Sequence, residues 1–294
     1  MGRNEMISVI IVSYKVPQLL LRAVDALKKA HDSNREIIIV DNNSQDDSRN
    51  QVLNTFDDVK WIQNDRNLGF ASAVNIGLQA ASADYFLLLN PDTEIEPQAL
   101  TELSEFWRNA ENVGVMGGKI VNSDGSFQVQ CRRRFPDPSS AFFRLFGLRH
   151  ILPGHRLACS YELGSENIDE FQEVDAVSGA FMSFSRQLVC EIGMFDEGYF
   201  LMGEDLDFCY RAKQAGYKVV YYPRCVVTHH HGASRRTRPL RSIYHGHHAM
   251  MRYYRKFLSP RYSPFTSFFV YCGILSHFLG LAAVNLIQML VKGR

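Results

Sequence analysis

Three short stretches hold residue types that chemistry would need. Asn90-Pro91-Asp92 closes the apolar run from Tyr85 to Leu89, so a core strand ends on a proline-stiffened turn that presents one carboxylate. An oxygen fixed at such an edge suits a hard divalent cation, Mn2+ or Mg2+, that bridges to a nucleotide diphosphate. Glu94 beside it reads as a supporting partner or as a charge before the helix that follows Pro97. Glu204, Asp205 and Asp207 open an amphipathic segment, where the helix dipole alone would favour them. An ionised carboxylate near a metal is also what a general base for a hydroxyl nucleophile requires. His229, His230 and His231 come next. Three neighbours do not all face one centre, so one of them is expected to ligate a metal. Zinc-hydrolase spacing of the HExxH kind is missing.

Two further stretches suit a phosphorylated ligand. Asp41 ends the aliphatic run from Ile37 to Val40 and precedes Asn42, Asn43 and Ser44, a set that fits nucleobase and ribose contacts or an Asx turn with a helix cap. Asn67 and Gly69 stand where a helix begins, and Gly69 permits close approach of backbone to an anion. Asn75 and Gly77 lie on that helix, where ordinary packing against a sheet would give the same letters. Arg235, Arg236, Arg238 and Arg241 could neutralise diphosphate charge.

The elements that must hold these groups follow from periodicity. Apolar runs alternate with amphipathic helical patterns over the first 130 residues, which predicts a doubly wound, mostly parallel sheet. Ligands in such sheets gather at the C-terminal strand ends. That singles out Ser13-Tyr14, Asp41 to Ser44, and Asn90 to Asp92. The segment 131–172 mixes Pro, Gly, Arg and Phe without a period and reads as a long loop with room for one short helix, a type often used as a lid. The block from Asp175 to Gly232 is ordered again.

The 294 residues, 46% hydrophobic, support one large domain or two small ones. Six scattered cysteines without a CxxC pair read as reduced cytosolic thiols that mostly fill the core, and no secretory leader is expected. A net charge of +1 hides an asymmetry: residues 1–207 sum to −13, whereas residues 208–294 carry 14 Lys and Arg and no acid. From Phe265 to Leu290 runs an apolar stretch free of Asp, Glu, Lys and Arg, preceded by Arg252, Arg255, Lys256 and Arg261. Basic flanks of this kind predict attachment at a cytoplasmic leaflet rather than binding to nucleic acid. A helical hairpin buried against the domain is the alternative.

Taken together, "VIIVSY", "IIIVDNNSQDDS", "NLGFASAVNIGL", "LLLNPDTEI" and the block ending "VVTHHHGAS" resemble family 2 glycosyltransferases of GT-A fold, in particular the rhamnosyltransferase-like branch. The likeness covers roughly residues 6–235. It implies a GT-A domain over 1–235, with a donor-binding half to about 130 and an acceptor and catalytic half over about 170–235. A basic, helical, membrane-associating region would follow at 236–294. The implied activity is inverting, metal-dependent transfer of a sugar from a nucleotide donor to a hydroxyl of a lipid-linked saccharide in cell-surface polysaccharide synthesis, with dTDP-rhamnose the favoured donor. Carried over by position, Asp205 of the Glu204-Asp205 pair would be the catalytic base and Asp41 would contact the nucleobase. Asp92 would be the last residue of the DxD motif, and His229 a metal ligand. Ser13, Tyr14, Asn43, Asn67, Gly69, Asn75 and Asn90 complete the expected nucleotide-sugar site. Asn90 stands in place of the first DxD aspartate, which leaves one carboxylate fewer for the metal, and Lys15 replaces a frequent Asn. A membrane-attached, non-catalytic protein on a degenerate GT-A fold is the other reading.

Overall fold

Strands rich in Val, Ile and Leu bury both faces at the centre of the protein, as parallel pairing between covering helices requires. The computed structural model describes residues 6–32, 34–138, 163, 167–230 and 239–292. Strands β1 (Ile7–Ser13), β2 (Arg35–Asp41), β3 (Val59–Gln63) and β4 (Tyr85–Leu89) lie parallel in the order β3-β2-β1-β4. Helices α1 (Pro17–Lys29), α2 (Ser48–Thr55) and α3 (Phe70–Ala80) make the crossovers. On α3, Gly77 serves close packing: a Cβ there would lie 2.5 Å from the Ile10 Cγ2.

Beyond β4 the sheet becomes mixed. After β5 (Thr93–Ile95), α4 (Ala99–Asn109) and β6 (Val113–Val121), the short strands β7 (Arg132–Arg133), β8 (Gln172–Glu173) and β9 (Ala176–Val177) flank the segment 139–162, which lies outside the described residues with most of the expected loop. Strand β10 (Phe181–Ser185) runs antiparallel between β4 and β6, and β11 (Lys218–His229) runs parallel to β6. The short β5 pairs antiparallel with the end of β11, so Thr93 sits opposite His229. Helices α5 (Arg186–Ile192) and α6 (Glu204–Gln214) connect these strands. Periodicity did not reveal β5, whose Thr-Glu-Ile follows a turn without a break.

The C-terminal part is a helical hairpin, α7 (Pro239–Tyr253) and α8 (Pro264–Lys292). Helix α7 lies along the loop that leads into α6. Arg252 hydrogen-bonds Asp196, the His245 ring stacks on Phe200 with centroids 4.3 Å apart, and a Cβ on Gly203 would lie 3.1 Å from that of Ala249. Lys256 reaches both Asp196 at 2.8 Å and Asp207 at 2.5 Å. Two of the four cations expected at a leaflet are therefore used within the chain, whereas Arg255 and Arg261 are exposed. Helix α8 packs on α7 through Tyr244 with Phe278, and on the turn just after α7 through Tyr254 with Tyr271. Most of it is bare: Phe265 is 74% exposed and Ile287 59%. Over Pro264–Gln288 it is long and apolar enough to cross a membrane, with 11% of its most apolar window buried.

Of the cysteines, Cys131, Cys209 and Cys225 fill the core as expected, and burial pushes the first two thiols up to about 11 and about 12. Cys190 and Cys272 are exposed, and Cys159 is outside the described residues.

Candidate active site

The parallel register aligns three strand ends. Ser13 lies beside Asp41, and Asp41 beside Gln63. Asp41 is buried, and its Oδ2 accepts hydrogen bonds from the Ser44 amide at 3.0 Å and from the Gln63 side chain at 2.6 Å. Ser44 Oγ donates to the other carboxylate oxygen and accepts from the Lys15 amide. The carboxylate thus builds an Asx-type turn around Asn43 and Gln45, both at positive φ, and Lys15, which donates to Ser44 from the end of β1, also takes positive φ. The Ser13 hydroxyl, also buried, has no hydrogen-bond partner among the described residues. Tyr14 beside it is half-buried under the Lys15 ammonium.

The second wall begins at Asn67, whose side-chain oxygen accepts from the Gly69 amide at 2.9 Å. Asn43 reaches this loop through the Asp65 carbonyl, and Asn42 through that of Gly69. Gly69 caps α3 with φ of 87°, and an added Cβ would meet the Phe200 carbonyl oxygen at 2.7 Å. Phe200 is held here because its carbonyl accepts from the Phe70 amide. Asn75 stands apart from the other donor candidates. Its amide is committed to Phe195, on both main-chain groups, and to Glu197, which ties α3 to the loop entering α6.

Asp92 and His229 meet because β5 pairs with β11: Asp92 Oδ1 and His229 Nε2 are 3.1 Å apart, both largely buried. Gln128 decides what lies between them. Its nitrogen faces the His229 carbonyl at 3.1 Å and the Asn122 side-chain oxygen at 2.7 Å, so its oxygen faces His229 Nδ1. A neutral ring in this setting carries its proton on Nδ1 and turns the Nε2 lone pair toward a carboxylate oxygen. Two lone pairs facing each other need a cation between them, a second ring proton or a metal ion. Adjacent ligands of an octahedral ion with bonds of about 2.1 Å lie about 3 Å apart, so the residues fit a divalent metal. No cluster of three or more His, Cys, Asp or Glu is gathered for a metal among the described residues, so the other positions would fall to phosphate oxygens and water. His230 turns to Glu94 at 2.8 Å and Ser123 at 2.7 Å.

Asp205 sits in the first turn of α6, after Gly203 in the left-handed region. Its Oδ2 accepts from Arg133 at 2.5 Å and from the Gly179 amide at 3.4 Å, and its Oδ1 from the Leu206 amide at 2.8 Å. A carboxylate has about four lone-pair positions, so these three donors leave one for an incoming hydroxyl. Glu204 beside it is buried. The Asn90 amide bonds the Ala180 carbonyl, next to Gly179, which links the Asp92 turn to Asp205. Arg133 was missed by sequence reading, and its only signal was the run Arg132-Arg133-Arg134. Asp205 and the Asp92-His229 pair therefore border one region at the strand ends. Arg235, Arg236 and Arg238 are outside the described residues.

A family model described as glycosyl transferase family 2 matches residues 8–164. The low-salt glycan biosynthesis hexosyltransferase Agl10 of Haloferax volcanii is 26% identical over 212 residues, 71% of this chain and 62% of that protein, so the chain spans less than two thirds of that relative. The N-acetylglucosaminyl-diphospho-decaprenol L-rhamnosyltransferase of Mycobacterium tuberculosis is 25% identical over 239 residues, 77% of this chain and 76% of that one. Among solved structures, the mannosyltransferase PcManGT from Pyrobaculum calidifontis in complex with GDP-Man and Mn2+ matches with a TM-score of 0.57 at 15% identity, over 98% of this chain and 79% of that chain. GalNAc-T7 with UDP, GalNAc and Mn2+ gives 0.58 at 19% identity, over 78% and 44%. These likenesses establish the GT-A fold.

Proposed function

The chain belongs to glycosyl transferase family 2, and from that premise we propose that it transfers rhamnose from dTDP-rhamnose, with inversion, to a hydroxyl of a lipid-linked saccharide at the cytoplasmic face of the membrane. The observation that carries the reading is the facing of Asp92 and His229 at 3.1 Å beside the region bordered by Asp205. The Mycobacterium tuberculosis relative, whose name specifies a diphospho-decaprenol acceptor and L-rhamnosyl transfer, supports the choice of sugar and acceptor.

Asp205 takes the proton of the acceptor hydroxyl at its remaining lone-pair position while Arg133 and the Gly179 amide fix the carboxylate. The acceptor oxygen forms its bond to the anomeric carbon from the face opposite the leaving group, and the bond from that carbon to the diphosphate oxygen breaks with its electron pair. Asp92 and His229 would hold a divalent cation, Mn2+ or Mg2+, which neutralises charge on the departing diphosphate. Gln128 keeps His229 in the tautomer that serves this purpose. Asp41, Asn43, Ser13 and Tyr14 border the nucleoside, and Asn67, Gly69 and Asn90 the sugar diphosphate.

Thermal-shift titration with dTDP, UDP and GDP sugars, with and without Mn2+ or Mg2+, tests the reading. Metal-dependent stabilisation by dTDP-rhamnose above the other donors is expected. Preference for another base or sugar would replace the donor, and no response to any of them would favour a non-catalytic protein on this fold.

A further inference from the structure

Helix α7 carries the cation Arg241 and the imidazoles of His245 and His248, which the proposed chemistry does not use. Arg241 lies over the Phe200 ring, 4.8 Å from its centroid, His245 stacks on the same ring at 15° between planes, and Arg241 Nε donates to His245 Nε2 at 3.4 Å. His248, one turn beyond His245, stacks with Tyr244 at 6.1 Å. No ion pair to a carboxylate is found for Arg241, His245 or His248 among the described residues, and the chain contains no acid after Asp207. Burial first, then the charges of Arg241 and His248, hold the His245 imidazole below its usual range. The neutral ring is thereby favoured, with Nε2 accepting from Arg241 and the proton on Nδ1.

The position of this group gives it meaning. Phe200 carries Arg241 and His245 on its ring, while its carbonyl accepts from Phe70 at the start of α3. Phe70 in turn borders Gly179, whose amide donates to Asp205. On the other side, Tyr244 of α7 meets Phe278 of the bare apolar helix α8. Arg241 and His245 thus stand between the catalytic carboxylate and the apolar helix. A lipid-linked saccharide has the same order of parts: sugar, phosphate, hydrocarbon.

We propose that Arg241 and His245 form the subsite for the phosphate or diphosphate that joins the acceptor saccharide to its lipid. This rests on the reading of the protein as a transferase with a lipid-linked acceptor. Arg241 gives two or more of its Nη N–H donors to phosphate oxygens, the neutral His245 ring gives one from Nδ1, and Phe200 holds both side chains in place from beneath. The sugar then extends toward Asp205 and the hydrocarbon along α8.

Transfer is measured to a polyprenyl-diphosphate-linked saccharide and to the same saccharide on a neutral alkyl chain, for the full chain and for Arg241→Ala, His245→Ala and the double variant. The preference of the wild type for the diphosphate acceptor, taken as a ratio of kcat/KM values, should fall about tenfold to a hundredfold in Arg241→Ala, and further in the double variant. An unchanged ratio with a raised KM for the donor would overturn the subsite and move these side chains to the donor diphosphate. An unchanged ratio with weaker binding to vesicles of anionic phospholipid would overturn it in favour of membrane headgroups. Wild-type protein that transfers to neither acceptor would instead remove the reading on which the subsite stands. Arg241 is exposed, so circular dichroism should show the variants folded as the wild type.

Discussion

Asp92 Oδ1 and His229 Nε2 face each other across the β5 and β11 pairing at 3.1 Å, with Gln128 fixing the proton on the far side of the imidazole. On the reading proposed above, the pair shares a divalent cation. Asp92→Asn and His229→Ala should each abolish the Mn2+-dependent part of nucleotide binding. Gln128→Leu keeps both ligands but frees the ring to change tautomer, and should weaken metal affinity about tenfold to a hundredfold. Calorimetric titration of Mn2+ in the presence of the nucleotide diphosphate reads all three. Unaltered affinity in His229→Ala would remove it from the metal site.

Asp205 is held by Arg133, Gly179 and Leu206, with one lone-pair position left over. Asp205→Asn preserves size and most of these contacts but has no basic oxygen of comparable strength. Its kcat should fall by about 10²–10⁴ or more, while donor affinity is retained. Rapid-quench turnover alongside calorimetry separates the two quantities. Substantial turnover in this variant would assign the base elsewhere, with buried Glu204 next in line.

The strand ends were legible because an aliphatic run that stops on Asp or Asn is local information. Asp41 and Asn90 needed nothing else. The pairing of β5 with β11 was not legible, because a three-residue strand carries no period and its partner lies far along the chain. Arg133 and Asp205 are 72 residues apart, and Asn75 spends its amide on residues 120 and 122 positions away, so spacing along the chain gave no sign of either contact. Arg252 and Lys256 read as membrane flanks because charge alone does not reveal that Asp196 and Asp207 await them.

Asp196 fastens the hairpin to the loop before α6. Burial would raise its carboxyl, but hydrogen bonds from Arg252 and Lys256, with the Gly198 amide, outweigh that and hold it well below the usual carboxylate range. A carboxyl lowered in the folded state adds stability that is fully present above its unfolded pKa of about 3.9 and is lost as pH falls toward the folded value. Urea unfolding should therefore give constant stability from pH 7 to about 5 and a decline below about 4. Asp196→Asn should lower stability at pH 7 by about 1–3 kcal/mol, between exposed and buried pairs, and flatten the acid decline. An identical pH profile in the variant would mean that other carboxylates govern it.

Helix α8 exposes Phe265, Phe268, Phe269, Leu275, Leu279, Leu286 and Ile287, far more contiguous apolar surface than a soluble monomer ordinarily shows. At 1.5 Å per residue its 29 residues extend about 43 Å, longer than the hydrocarbon core of about 30 Å. Phe268 and Phe269 are 61% and 56% exposed and lie near the hairpin turn. If lipid covers them, each loses about 1.5–3 kcal/mol of burial when changed to a polar residue. Phe268→Ser with Phe269→Ser should then weaken partition into vesicles of mixed zwitterionic and anionic phospholipid by a factor of about 100 or more. Because neither side chain belongs to the sheet core, thermal unfolding should be little changed. Unaltered partition would mean that another part of the chain carries the membrane contact and that this face of α8 meets protein instead.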